Sequence, residues 1–412
     1  MSTYSVALYG LFGVKNLGNE ATLAATLAAL RARLPGARVT LISQPPEAAA
    51  ALGEDFACVA PDLLPIVLDE SSFIPWRLRV PFRACLHVLT EPFRARRTRR
   101  AARGLGMGLF LIPGTGIADD FGQGPFEAPN ELARWTRVAR RMGAAVRFAS
   151  IGAGPVEHPV SRRWLGAALR NADLRTFRDL ASLEFARKLK AASDADEVLP
   201  DLVFSLPLPE GTDRPVTWPP RTIGVGVMRY SGWNVVGDEA TRIYAQYLAK
   251  LEQLVARLLE LGFAVRLIIG NRGGDLHPVR DLTNAFAKRR DVATERLTAP
   301  TIHSYADVLR EIAACDLIVA TRFHNILKSF LLARPAVSIG YAAKNDTLMN
   351  DMGLGQYCHG IESFEPEKVI AQVREIAALP QPPVATMVRK VTEYRRVLAD
   401  QFDRLFRFEP PR

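Results

Sequence analysis

CDLIVATRFHNILKSFLLARPAVSIG, residues 315–340, carries two apolar β-type runs with a helical run between them. LIVA at 317–320 is short, uncharged and partly β-branched, as a strand buried on both faces requires. ILKSFLLA at 326–333 places apolar residues on one helical face, and AVSIG at 336–340 is a second buried run. Buried strands that alternate with helices build βαβ units and parallel sheets. Arg322 and His324 stand where the first strand hands over to the helix. Such junctions in open α/β sheets are where ligands bind.

The same alternation runs outward in both directions. RTIGVGVM and FAVRLIIG precede the opening stretch and complete a second strand series. YSVALYG, RVTLIS, GLFLIPG, VRFASIG, DLRTF and PDLVFSL make a first series, with the helix NEATLAATLAALRARL after its first member. Between the two lies PLPEGTDRPVTWPPRT, residues 207–222, rich in proline and polar residues as interdomain linkers are. The expected organisation is an N-terminal Rossmann-type domain at 1–210, a linker at 211–221 and a C-terminal Rossmann-type domain at 222–384. A terminal helix at 385–412 is expected to pack back on the first domain.

The chain has 412 residues, 48% hydrophobic and 23% charged, which suits a globular protein of two or three domains. Its net charge of +10 favours anionic partners without choosing among them. Cys58, Cys85, Cys315 and Cys358 are scattered with no CxxC spacing, which points to a reducing cytosol and offers no zinc pattern. The first residues read as a strand and turn, and no apolar run reaches the ~18 residues of a membrane span. The expected location is cytoplasmic, at most peripheral at the inner face of the membrane.

Residues 71–104 stand apart. Phe73, Trp76, Phe82 and Leu86 alternate with Arg77, Arg79 and Arg83, and Arg94, Arg96, Arg97, Arg99, Arg100 and Arg103 follow. A charge run is most often a solvated helix face. The other reading is a basic amphipathic segment on an anionic bilayer. No nucleic-acid motif accompanies the arginines, so nucleic acid is not an expected partner.

Three glycine loops close strands of the first series. GLFGVKNLGNEATL presents Asn16, Gly18, Asn19 and Glu20, but lacks both the dinucleotide fingerprint and the P-loop lysine. Asn19 also suits an N-cap, and Glu20 the positive end of a helix. PGTGIADDFG carries Gly114, Thr115 and Gly116 with Asp119 and Asp120 just beyond, and SIGAGPVEHP carries Gly152, Gly154, Glu157 and His158. Arg175, Arg178 and Asp179 follow, as crevice lining or as a surface ion pair. In the second series Arg229, then Asn271, Arg272 and Asp275, then Arg322 and His324 end successive strands. Arginines beside a helix start, where Phe323, His324 and Asn325 lie, form a site for phosphate or carboxylate.

These residues together resemble the polysaccharide pyruvyl transferase family. The resemblance runs in order over nearly the whole chain, through NLGNEATL, GTGIADD, IGAGPV, FRDLASLEFARKL and ACDLIVATRFHNILKSFLLARPAVSIGYAAKNDTLMNDMGL. The last block is the most specific. Asn19 stands where the family usually has aspartate, Thr115 interrupts a triple glycine, and Phe323 replaces a leucine. The resemblance implies a GT-B-like α/β fold, two Rossmann-type domains whose parallel sheets face a cleft. It implies transfer of pyruvate from phosphoenolpyruvate onto two hydroxyls of a sugar as a cyclic ketal, with no cofactor and no metal. Arg229, Arg322, Phe323, His324 and Asn325 would hold the donor. Asn16, Gly18, Asn19, Gly114, Thr115, Gly116, Gly152 and Gly154 would face a polysaccharide or lipid-linked glycan acceptor on the first domain. His324 would bind phosphate or give a proton, and Glu20, Asp119 and Asp120 are the candidate bases. The implied setting is exopolysaccharide or other cell-envelope synthesis. A GT-B nucleotide-sugar glycosyltransferase and a non-catalytic glycan-binding protein are the competing readings.

Overall fold

The computed structural model describes residues 4–43, 56–61, 76–114, 128–233 and 235–407, with only the backbone of 76–84. The chain divides into two compact units. The first comprises Met1–Val14, Thr26–Leu202 and Leu398–Arg412; the second comprises Lys15–Ala25 and Val203–Val397. The chain thus changes unit four times: after Val14, after Ala25 inside the helix Leu17–Arg33, after Leu202, and after Val397 inside the helix Ala385–Leu405. The passage after Leu202 lies near the expected end of the first domain at 210, while the placing of Lys15–Ala25 in the second unit adds to the expected organisation. The last passage divides the terminal helix, expected to pack back on the first domain, so that its part from Leu398 onward lies in the first unit.

The first unit holds a parallel sheet of β1 (Ser5–Tyr9), β2 (Arg38–Ile42), β3 (Ala57–Val59), β4 (Leu109–Pro113), β5 (Ala145–Ile151), β6 (Leu174–Phe177) and β7 (Glu197–Val198). Their order is β3-β2-β1-β4-β5-β6-β7, with Val6 opposite Leu109 at the crossover. Val6, Leu8, Phe110, Ile112, Val146 and Phe148 are buried, which is why these runs lack polar alternation. Trp135 stacks on Phe110 with ring centroids 6.3 Å apart, and its indole N–H donates to the Pro61 carbonyl at 2.7 Å.

The second unit repeats the scheme with β8 (Thr222–Gly226), β9 (Ala264–Ile268), β10 (Leu297–Thr298), β11 (Leu317–Ala320), β12 (Ala336–Gly340) and β13 (Cys358–Gly360). Their order is β10-β9-β8-β11-β12-β13, again parallel throughout, with Ala320 opposite Gly226. Cys315 is a core residue, and burial pushes its thiol up to about 12.

Two expectations change here. PDLVFSL is not a strand: Leu202–Ser205 form a 3-10 turn, and Arg395 donates to the Phe204 and Leu206 carbonyls at 3.2 and 3.4 Å. The proline-rich stretch is not a loose linker. The buried Asp316 carboxylate accepts from the Thr217, Arg221 and Thr222 amides at 2.8–2.9 Å, and Arg334 donates to the Arg214 carbonyl. These contacts tie it to the second unit. Among the described residues no helix is long and apolar enough to cross a membrane.

Candidate functional site

In the second unit β8 and β11 are neighbours although β9 and β10 lie between them in sequence, so loops leave their carboxyl ends in opposite directions. A crevice at such a reversal is the usual ligand position in an open parallel sheet. Arg229 follows β8, Gly270 to Asp275 follow β9, and Arg322 follows β11. The sheet therefore brings together three segments that the sequence keeps 40 to 90 residues apart, an interval of about 45 residues for each step.

Asp275 organises the cluster. Its carboxylate is fully buried and accepts backbone N–H groups from Gly270, Asn271 and Arg229 at 3.0, 2.8 and 3.2 Å. Arg322 closes on it through Nε at 2.6 Å and through Nη2. Burial alone would lower the Arg322 pKa, but the bond to Asp275 outweighs it and raises the pKa. The guanidinium is thus permanently charged and clamped along one edge. Nη1 and the outer Nη2 proton remain for a second, anionic partner. Arg322 lies so close over Gly270 that a Cβ there would sit 2.4 Å from its Cδ. Arg229 is exposed, and among the described residues its side chain has no ion-pair or hydrogen-bond partner.

Arg322 is also the N-cap of the helix Phe323–Leu331, which turns the positive end of that helix toward the cluster. Asn325 lies in its first turn, buried between the strand ends. Cβ atoms at Gly226 and Gly270 would lie 3.4 Å from its Nδ2 and 3.2 Å from its Oδ1. Neither amide atom has a hydrogen-bond partner among the described residues. A dry, unpaired amide costs about 1–3 kcal/mol, so one kept here marks a polar position beneath Arg322.

The segment Lys15–Ala25 completes the site from the second unit's side. Lys15 adopts φ 62°, a left-handed conformation that non-glycine residues hold only under constraint. The constraint is a short antiparallel bridge: Asn16 pairs with Asn271, Leu17 N–H donates to the Gly270 carbonyl at 3.0 Å, and Arg272 N–H donates to Lys15 at 2.8 Å. The Asn16 side chain then caps the helix by accepting from Gly18 N–H at 2.9 Å. The capping residue is therefore Asn16, not Asn19. Gly18 is required because the His324 ring rests on it: a Cβ would meet Nδ1 at 2.2 Å. Asn16, Gly18 and Glu20, expected with Asn19 on the first domain, are thus neighbours of Asn271, His324 and Arg272 in the second unit. Sequence order hid this, since every contact that joins them spans about 250 residues or more.

Glu20 is buried, with Arg272 Nη2 at 3.7 Å. Burial raises its carboxyl pKa, and Arg272 and Lys328 pull it back only part of the way. A carboxyl held above its unfolded value of about 4.3 binds its proton more tightly in the native state. Its contribution to stability is therefore greatest below that value and is lost as pH rises through the native pKa. The Glu20→Gln variant is expected to flatten this decline and to melt no lower than the wild type at neutral pH. Melting curves from about pH 4 to about pH 8 check this. A neutral-pH melting point several degrees lower would show that ionised Glu20 is needed.

The remaining expected residues belong to the first unit. Gly114 follows β4 and donates its N–H to the Ala149 carbonyl at 2.7 Å. Gly152 and Gly154 follow β5, beside the Arg178 guanidinium and the Phe185 ring. Arg178 lies 3.6 Å from both Asp179 and the buried Asp201. Arg175 is spent elsewhere, on Asp196 at 2.9 Å and on the Leu169 carbonyl. His158 caps the helix Pro159–Arg170 by accepting from Val160 N–H. Thr115, Gly116, Asp119 and Asp120 lie outside the described residues. Asp275 was visible in the sequence as the end of a strand loop, but its part in holding Arg322 was not.

Comparison with known proteins agrees with this architecture. The family model "Polysaccharide pyruvyl transferase" matches residues 16–342. No curated protein sequence matches the chain. Among solved structures, UDP-GlcNAc 2-epimerase from Methanocaldococcus jannaschii is similar at 10% identity and TM-score 0.55, over 94% of this chain and 99% of that one. MurG of Acinetobacter baumannii is similar at 13% identity and TM-score 0.55, over 97% and 99%. CalG4, the calicheamicin glycosyltransferase, is similar at 13% identity and TM-score 0.56, over the full length of both. At such identities the likeness is one of fold, and the fold is GT-B-like.

Proposed function

Since this chain belongs to the polysaccharide pyruvyl transferase family and is a transferase, we propose that its strand-end cluster in the second unit binds phosphoenolpyruvate. The pyruvyl group then passes to two hydroxyls of one sugar as a cyclic ketal. The observation that carries this reading is the Arg322–Asp275 clamp at the β8/β11 reversal, with Arg229, whose side chain has no partner among the described residues, on the adjoining strand end. Phosphoenolpyruvate has two anionic groups on three carbons, and two arginines with a helix N-terminus suit that charge.

The chemistry needs a proton at the methylene carbon, which makes C2 oxocarbenium-like. One hydroxyl adds to C2, phosphate departs, and the second hydroxyl closes the ring. Of the two hydroxyl protons released, one balances the proton taken up by carbon and the other leaves with phosphate. In this reading Arg322 and Arg229 hold the carboxylate and phosphate, and the Asn325 amide supports them from below. His324, its ring lying on Gly18, gives the proton, and Glu20 is the described candidate base. Asp119 and Asp120 are the further candidates. The scheme assigns no step to a metal or cofactor. The acceptor is a sugar of a polysaccharide or lipid-linked precursor for exopolysaccharide or the cell envelope, pyruvylated in the cytoplasm.

Thermal unfolding with phosphoenolpyruvate, set against UDP-, GDP- and TDP-sugars, tests the donor. A ligand at about 100 times its Kd stabilises the native state by about 2.7 kcal/mol, a readable shift. The expected result is a shift with phosphoenolpyruvate and none with the nucleotide sugars. A shift with a nucleotide sugar alone would sink the proposal and make the protein a glycosyltransferase.

A further inference from the structure

The helix Trp76–Leu105 has two faces that differ along their length. Its inner face presents His87, Arg94, Thr98 and Ala102, all buried, so Arg94 does not belong to a solvated charge run. Arg134 of the helix Ala128–Arg141 fastens that face by donating to Thr98 Oγ1 at 3.2 Å and Glu91 Oε2 at 3.1 Å. At about 100° per residue the outer face carries first Val88, Leu89 and Phe93, then Arg96, Arg97, Arg99, Arg100 and Arg103. Val88, Leu89 and Phe93 are 60%, 65% and 66% exposed. The five arginines are exposed, and among the described residues none has an ion-pair or hydrogen-bond partner. Glu91, the one acid between residues 85 and 105, is committed to Arg134.

We propose that this outer face is a docking surface for an anionic lipid bilayer. The apolar patch would enter the headgroup boundary while the arginines pair with lipid phosphates. At about 1.5 Å per residue the patch from 88 to 93 and the cationic stretch from 96 to 103 lie end to end over roughly 23 Å. One helix lying flat can therefore use both at once. Three large apolar side chains held out in water have no use in phosphate-backbone binding, which argues against nucleic acid. A two-fold contact with a second copy would bring arginine clusters near one another. The surface is independent of the donor assignment, and the two fail separately.

Co-flotation of the full chain with phosphatidylglycerol-containing vesicles, set against pure phosphatidylcholine vesicles, is the test. The wild type is expected to float with the anionic vesicles and not with the neutral ones. R96E/R100E is expected to abolish flotation, and L89S/F93S to reduce the bound fraction at least about tenfold. Because these side chains are exposed, the melting temperatures of both variants should match the wild type. Failure of the wild type to float, equal flotation with neutral vesicles, or wild-type flotation by both variants would each overturn the proposal. So would arginine variants that change only duplex DNA binding or only the sedimentation coefficient.

Discussion

Arg322→Ala is expected to lose phosphoenolpyruvate binding and a large share of thermal stability together. The two losses have one origin. Arg322 holds a carboxylate that is fully buried, and removal of the guanidinium leaves Asp275 charged with only three backbone N–H partners. Breaking a buried pair from one side costs about 3–5 kcal/mol, and the remaining amides place this case toward the lower figure. Loss of a desolvated charge from a ligand site costs about 2–5 kcal/mol in affinity, roughly 30-fold or more in Kd. Calorimetric titration with phosphoenolpyruvate and a denaturant melt read the two separately. Arg322→Lys keeps the charge but cannot span both carboxylate oxygens, so it should recover part of the stability and little of the affinity. Native affinity in the alanine variant would remove Arg322 from the donor site, whatever its stability.

Arg229→Ala should behave differently, and the contrast is informative. The Arg229 backbone N–H serves Asp275, but its side chain has no partner among the described residues. Alanine keeps the backbone bond. Stability should therefore stay within about 0.5 kcal/mol of the wild type, as for surface substitutions in general. On the proposed donor binding, affinity for phosphoenolpyruvate should still fall about 30-fold or more, because one of the two guanidinium groups assigned to the anion is gone. The same titration and melt suffice. A variant that binds normally would leave Arg229 without a role. A variant that unfolds as readily as Arg322→Ala would make it a structural residue.

The contrast between these arginines shows what a linear reading can reach. Arg229 and Arg322 were legible because each ends an apolar run in a pattern that fixes strand direction. The βαβ unit around residues 315–340 needed only its periodicity. Asp275 looked like an ordinary turn residue beside two glycines, since its meaning arises where three strand ends converge. The segment at 15–25 looked like part of the first domain because proximity in sequence was the only guide, and its bond to Gly270 is a long-range event. The stretch at 207–222 has linker composition, yet Asp316 fastens it through backbone amides that composition cannot reveal.

The interleaving of the two units has a consequence for how the chain is made on the ribosome. Leu17 receives Lys328 across 311 residues, and Gln401 meets Ser150 across 251. At about 5–20 residues per second, residue 17 waits roughly 15–60 s for its partner to be synthesised. The second unit completes its Leu17 contact only after Lys328 is made, and the first completes its Ser150 contact only after Gln401. Strictly sequential completion, with one unit finished before the other emerges, is therefore not expected: each unit waits for a contact made by a segment far along the chain.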